Sequence, residues 1–258
     1  MKNAIKVFGI IALVAVIGFS MTACNKSGSG GGNGFNSASD FEFMNLGDSI
    51  SIQKYTGKKT VVNIPPTIKK LPVVSIMDDA FYLNSTITSV TIPDGVVRIG
   101  YRVFVDCTSL ASINIPASVF DIGGSAFSNC TSLTSITIPG KVKTIVEYAF
   151  AGCTSLTNVT IGDGVEQIGA GAFEGCTSLT SITLPKSVYF IGDKAFDKCT
   201  KLTSVTFGSK IDKGSFHEDA FCGDLRIKHL AGGAGTYTTT TPLPDDPSKY
   251  WYPRWTKQ

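Results

Sequence analysis

Seven cysteines and two histidines are the residues of this 258-residue chain best suited to chemistry. Five of the cysteines, Cys107, Cys130, Cys153, Cys176 and Cys199, follow one another at a constant interval of 23 residues. If that interval is one turn of a stacked structure, neighbouring thiols lie about 5 Å apart, inside the Cα range of a disulfide, about 4.4–6.8 Å. Side chains repeated in such a ladder all point the same way, however, and Asn84 holds the same slot one interval before Cys107. Reduced structural thiols are therefore expected, with disulfide bridging as the open alternative. A metal site is not expected, because ligands must converge and a ladder spreads them along a line. Cys222 keeps the interval but sits directly after Phe221, where the others stand three beyond their Phe, so the last repeat is disrupted. His217 and His229 lie beyond the regular repeats. Ser215 and Asp219 neighbour His217, yet closeness in sequence does not make a triad, and a surface histidine is the simpler reading. The glycine tract near residue 30 lacks the Lys-Ser/Thr of a phosphate loop, and no dinucleotide or metal-helix motif appears. No catalytic residue, metal ligand or cofactor is assigned.

The cysteine interval belongs to a longer repeat. Cys107-Thr-Ser-Leu110-Ala-Ser-Ile113-Asn-Ile115-Pro116 aligns with Cys130-Thr-Ser-Leu133-Thr-Ser-Ile136-Thr-Ile138-Pro139, and then with the copies that begin at Cys153, Cys176 and Cys199. An earlier copy starts at Asn84 and runs through Ile87, Val90 and Ile92-Pro93. In each copy an apolar pair brackets a small polar residue, the two-residue period of a half-buried strand. One short strand per repeat is expected, stopped by Pro93, Pro116, Pro139 or Pro185, or by Gly162 or Gly208. The chain then returns through Val96/Ile99, Val119/Ile122, Val142/Ile145, Val165/Ile168 and Val188/Ile191. Ala-Phe pairs follow at 80–81, 126–127, 149–150, 172–173, 195–196 and 220–221, with Val103-Phe104 in their place once.

No such repeat buries its apolar face alone, so stability must come from stacking neighbours with protected ends. The expected fold over 40–225 is a repeat solenoid, with one short parallel strand per coil and a non-repeat C-terminal cap. Outward positions of the strands are Ser89/Thr91, Ser112/Asn114, Ser135/Thr137, Asn158/Thr160, Ser181/Thr183 and Ser204/Thr206. They should form a flat, uncharged, hydroxyl-rich stripe, the candidate binding face. Asn84 and the five cysteines should form a structural ladder inside.

The run Cys-Thr-Ser-Leu-Thr-Ser-Ile-Thr-Ile-Pro…Val…Ile-Gly…Ala-Phe resembles the BspA-like class of leucine-rich-repeat surface proteins, over about residues 50–225. Ile50-Ser-Ile52 to Gly57, Val61-Val62-Asn63-Ile64-Pro65 and Val73-Val74-Ser75-Ile76 resemble the degenerate first repeats of that class. The resemblance implies a leucine-rich-repeat-like solenoid and a bacterial surface adhesin that contacts host or bacterial proteins or glycans.

Ahead of the repeats, Lys2 and Lys6 precede an apolar run from Val7 to Phe19, the length of a signal-peptide core and short of the about 20 residues that span a bilayer. Met21-Thr22-Ala23-Cys24 resembles a bacterial lipobox, which implies removal of 1–23 and lipid attachment at Cys24; ordinary secretory cleavage with a free thiol is the alternative. Residues 24–39, rich in Gly, Ser and Asn, read as a flexible tether. Without Lys2 and Lys6 the 23 basic residues fall to 21 against 20 acidic, too balanced for a nucleic-acid footprint.

Residues 226–258 carry both tryptophans and Tyr237, Tyr250 and Tyr252. These aromatics, with Trp251 and Trp255, either cover the open last coil as a cap or form a binding patch. The sequence therefore leads to a non-enzymatic, lipid-anchored binding protein of the bacterial cell envelope, expected on its outer surface, with a protein or glycan partner. A scaffolding lipoprotein of the periplasm without external partner is the competing reading.

Overall fold

The computed structural model describes residues 34–240 and 254–258. The expected signal peptide, Cys24 and most of the expected tether lie outside the described residues, as do Tyr250, Trp251 and Tyr252. The described chain opens with the antiparallel pair β1 (Phe41–Asn45) and β2 (Ile50–Tyr55), followed by β3 (Val61–Asn63), β4 (Thr67–Ile68) and β5 (Leu71–Ile76). Thereafter each coil contributes two strands: β6 (Ser89–Thr91) with β7 (Arg98–Ile99), β8 (Ser112–Asn114) with β9 (Asp121–Ile122), β10 (Ser135–Ile138) with β11 (Thr144–Ile145). The series continues with β12 (Asn158–Ile161) and β13 (Gln167–Ile168), β14 (Ser181–Leu184) and β15 (Phe190–Ile191), and ends at β16 (Ser204–Phe207). Helix α1 (Leu225–Gly232), β17 (Gly235–Thr238) and β18 (Thr256–Lys257) complete the described elements.

The result is a β-solenoid of about seven turns with the expected spacing. Equivalent residues pair in parallel register, as in Val90↔Ile113, Ile136↔Val159 and Ile182↔Val205. The second strand of each coil escapes a periodicity argument because two residues are too few to show alternation.

Proline and glycine at the end of the first strand have different consequences. Gly162 N donates to Ile138 O at 2.9 Å and Gly208 N to Leu184 O at 2.8 Å, and there the pairs β10–β12 and β14–β16 run over four residues. Proline has no N–H to give. Pairing ahead of Pro93 and Pro116 covers three residues, and no ladder joins β8 to β10 or β12 to β14, which precede Pro139 and Pro185. At β8 the Asn114 amide takes over, accepting from Ile92 N at 2.9 Å and donating to Ile92 O at 3.1 Å.

The second ladder breaks once, between β9 and β11. After the second strand stand Gly100, Gly123, Val146, Gly169 and Gly192. Each glycine N donates to the preceding coil at 2.7–2.9 Å, and a Cβ on Gly123 would lie 2.5 Å from the carbonyl carbon of Gly100. Val146 carries that Cβ, and its coil is the one that fails to join. Two further corners are turned in left-handed backbone: Asp79, Arg102, Ser125, Tyr148, Gly171 and Lys194 form one row, Leu83, Asp106, Asn129, Gly152, Gly175 and Lys198 the other.

Inside, Phe81, Phe104, Phe127, Phe150, Phe173, Phe196 and Phe221 stack with centroids 4.5–5.4 Å apart, continuing through Tyr55 to Phe41. Offset stacking of this kind adds about 0.5–1.5 kcal/mol per pair beyond area burial. The Leu, Ile and Val ladders pack alongside, buried except for Ile113, Ile115 and Val159, which are half-buried.

Both ends are covered, and the first end moves a boundary. Residues 34–39, expected in the tether, belong to the folded unit. Asn36 N donates to Asn63 O, Asn63 N donates to Asn36 Oδ1, and Asn63 Nδ2 donates to Gly34 O, each at 2.8 Å. Composition alone reads this segment as coil, but one asparagine can imitate a strand partner and satisfy the outer edge of β3. At the other end β17 pairs antiparallel with β16, and β18 with β17. Tyr237 and Trp255 are buried there, Trp255 Nε1 donating to Cys222 O at 3.1 Å.

Candidate binding face and the thiol ladder

The strand register pairs the expected stripe residues within three ladders, β6–β8, β10–β12 and β14–β16. Ser89 lies beside Ser112 and Thr91 beside Asn114; Ser135 beside Asn158 and Thr137 beside Thr160; Ser181 beside Ser204 and Thr183 beside Thr206. Ser112 Oγ and Ser89 Oγ share a hydrogen bond of 3.0 Å. Its middle is open: Ser135, Thr137, Asn158, Thr160, Ser181 and Thr183 are all exposed. Its ends are not equivalent to the middle. Asn114 spends its amide on the Ile92 backbone, and Thr206 bonds Thr236 Oγ1 at 2.9 Å where β17 lies against the last coil. Over β6 and β8 the surface forms a shallow depression lined by Ser89, Thr91, Ser112, Ile113 and Asn114.

The threonines that flank these strands serve the fold instead. Thr131, Thr154 and Thr177 each turn Oγ1 to the carbonyl of the threonine one coil earlier, at 3.3–3.5 Å, and Thr157 does the same to Thr134 at 3.1 Å. Sequence shows both kinds of threonine as equally repetitive; only the strand direction separates outward from inter-coil positions.

The five ladder cysteines are free and buried. Each thiol donates to the carbonyl of the Phe in the coil before: Cys107 to Phe81, Cys130 to Phe104, Cys153 to Phe127, Cys176 to Phe150 and Cys199 to Phe173, at 3.2–3.3 Å. Burial pushes Cys107 and Cys176 up to about 12 and holds Cys130, Cys153 and Cys199 well above the usual thiol range. Such groups are poor nucleophiles, since the thiolate is the reactive form. Asn84 uses the slot differently, its Oδ1 accepting from Thr86 N and Ile87 N at 3.1 and 3.2 Å. Cys222 is half-buried beside Asp197 Oδ1 at 3.4 Å, with burial raising it to about 11.

The histidines part company. His217 is exposed with Nδ1 3.3 Å from Asp193 Oδ1, while Ser215 ends a short 3-10 turn, Lys213–Ser215. His229 is wholly buried on α1, stacked on Phe207 at 4.0 Å, with Nε2 accepting from Ile211 N at 3.0 Å. Desolvation is the main cause that lowers His229 to about 4, with the charges of Lys210 and Lys257 adding to it against the Gly233 backbone.

An aromatic cluster outside the stripe is not apparent from the repeat pattern. The Arg102 guanidinium lies 4.4 Å from the Tyr82 ring centre and 5.7 Å from that of Tyr101, and pairs with Asp79 at 3.2 Å. Tyr82, Tyr101 and Tyr148 are exposed. Their sequence signal is an aromatic ring at repeat positions where the other copies carry small or charged residues, or Val105 once.

The pattern of the BspA type leucine-rich repeat region matches in six copies, over residues 51–153, 74–203 and 121–233. Among solved structures, a leucine-rich repeat protein of T. pallidum is 35% identical, over 66% of this chain and 81% of that one, with a TM-score of 0.64. A leucine-rich cell surface protein of Faecalibacterium prausnitzii is 32% identical over 67% of this chain, with a TM-score of 0.53; the match spans 54% of that relative's length. A leucine-rich-repeat protein of Eubacterium ventriosum, 24% identical over 63% of this chain and 51% of that one, shares the fold at a TM-score of 0.51. No curated protein matches the sequence.

Proposed function

The chain belongs to the BspA-type leucine-rich-repeat family, and from that premise we propose that it is a non-catalytic binding protein of the bacterial cell surface that holds a protein partner along its stripe. One observation carries the reading: Ser135, Thr137, Asn158, Thr160, Ser181 and Thr183 stand exposed on consecutive coils. A rigid row of short polar side chains loses little side-chain entropy on contact. Contacts repeated at the coil spacing add by avidity when the partner is itself repetitive. Surface display is supported by the likeness to the F. prausnitzii relative, itself a cell surface protein. Lipid attachment at Cys24 and an adhesive role complete the proposal; Cys24 lies outside the described residues, and its support is the lipobox-like Met21-Thr22-Ala23-Cys24.

Replacing Thr137, Thr160 and Thr183 with Lys tests the face. Partner capture from the surface of target cells should be lost while the circular dichroism spectrum is unchanged. Capture that persists moves the site to Tyr82, Tyr101 and Arg102 or to the C-terminal end. Display is tested by protease treatment of intact cells: loss of the protein without lysis supports it, and full protection supports the periplasmic scaffold instead.

A further inference from the structure

We infer that Asp193, His217 and Asp219 form a binding site for a borderline divalent cation such as Zn2+, placed where the last coil closes onto the one before it. One donor atom of each residue lies within 4.8 Å of the others. The backbone builds this convergence. Phe216 bridges to Ile191 in parallel and His217 N donates to Ile191 O at 2.9 Å, which sets His217 beside Asp193. Phe221 follows Phe196 by 25 residues where the other coils need 23, and the longer segment brings Asp219 to the same place.

A second observation comes from hydrogen-bond accounting. Asp193 Oδ1 is shielded from solvent and accepts no hydrogen bond. The polar atom facing it is His217 Nδ1, 3.3 Å away. That nitrogen also faces the Asp219 N–H at 3.3 Å, a contact that uses its lone pair. A ring nitrogen that accepts from N–H has no proton to offer Asp193. Asp193 Oδ1, on a side chain that is 44% exposed, and an unprotonated ring nitrogen thus stand 3.3 Å apart with no proton between them. A cation placed there gives both a partner, the Nδ1 lone pair exchanging its long Asp219 N–H contact for the ion. One imidazole nitrogen with two carboxylates suits Zn2+ and its neighbours in the transition series, with water completing the shell; Ca2+ and Mg2+ favour oxygen donors throughout. His217 and Asp219 are exposed, so an ion enters from solvent. The site is independent of the stripe. Its consequence is mechanical: an ion held by Asp193 in one coil and by His217 and Asp219 in the next pins the last coil down, and binding to the folded form alone stabilises it.

The test is calorimetric titration of Zn2+ into the chelator-stripped full-length protein at neutral pH, with thermal melts alongside. One ion per chain is expected, with a rise in melting temperature. Asp193→Asn and His217→Gln should each weaken binding at least tenfold and remove the thermal shift, with unchanged circular dichroism confirming that both fold. The inference is overturned if Zn2+ does not bind, which would leave a proton on Nδ1 and a simple His217–Asp193 ion pair. Binding that survives in both variants overturns it as well, because the ion would then sit on thiols such as Cys222. An equal response to Mg2+ would reduce the site to acidic surface and likewise overturn it.

Discussion

Cys153 donates its thiol hydrogen to the carbonyl oxygen of Phe127, 26 residues earlier, at 3.2 Å. The same oxygen accepts Cys130 N–H within its own coil, also at 3.2 Å, so both of its lone pairs are used. Small size, low cost of burial and a weak donor suit one residue type to this slot, which explains why cysteine recurs without disulfide chemistry.

Thiol reactivity follows from that placement. In the native protein at pH 8, Cys107, Cys130, Cys153, Cys176 and Cys199 should resist an aromatic disulfide reagent, then react fully in denaturant. Cys153→Ala should cost about 1–3 kcal/mol in urea unfolding, from the lost packing and the lost donor. Rapid labelling of the native ladder thiols would contradict their assignment as buried structural groups.

Close approach of coils makes Gly123 intolerant of a side chain. Its added Cβ would meet Gly100 and Tyr101 backbone at 2.5 Å, and backbone cannot rotate away. Gly123→Ala should destabilise by about 1–3 kcal/mol, as overpacking does. The same change at Gly214, where nothing lies within 4 Å of the added Cβ, serves as the control and should be near neutral.

Truncating Asn36 should loosen the first edge. Asn36→Ala removes the acceptor of Asn63 N and the 2.8 Å bond to Asp40 Oδ2. A loss of about 1–2 kcal/mol is expected. Hydrogen exchange at the Asn63 amide should quicken while the Phe127 amide, deep in the stack, keeps its protection. Unaltered exchange at Asn63 would return residues 34–39 to the tether.

Acid should weaken the C-terminal cap through His229. Folding holds this residue near 4, whereas in the unfolded chain it titrates at the ordinary histidine value, about 6.5. Between those values the unfolded chain binds more protons, so its contribution is whole above about pH 6.5 and is lost as pH falls toward 4. The loss is at most about 3 kcal/mol. His229→Gln retains a side-chain acceptor for Ile211 N and should flatten the stability profile in this window relative to the parent, measured by urea unfolding at each pH. Parallel profiles would rule out His229 as the source.

The 23-residue register determined the solenoid, its buried Phe, Leu and Cys ladders and the membership of the stripe, because a period repeated that often leaves each side chain one face to occupy. Tertiary structure decided what repetition conceals. Pro139 and Gly162 look interchangeable as strand stops, yet only Gly162 carries the N–H that extends its pairing. Val146 looks like another apolar residue until the preceding coil stands against it. Asn36 reads as linker until Asn63 is beside it. Asp193, His217 and Asp219 are spread over 27 positions and meet only because the last coil departs from the repeat. Periodicity specifies average neighbours; caps, breaks and convergent sites depend on departures from the average, whose partners are set by three-dimensional contact.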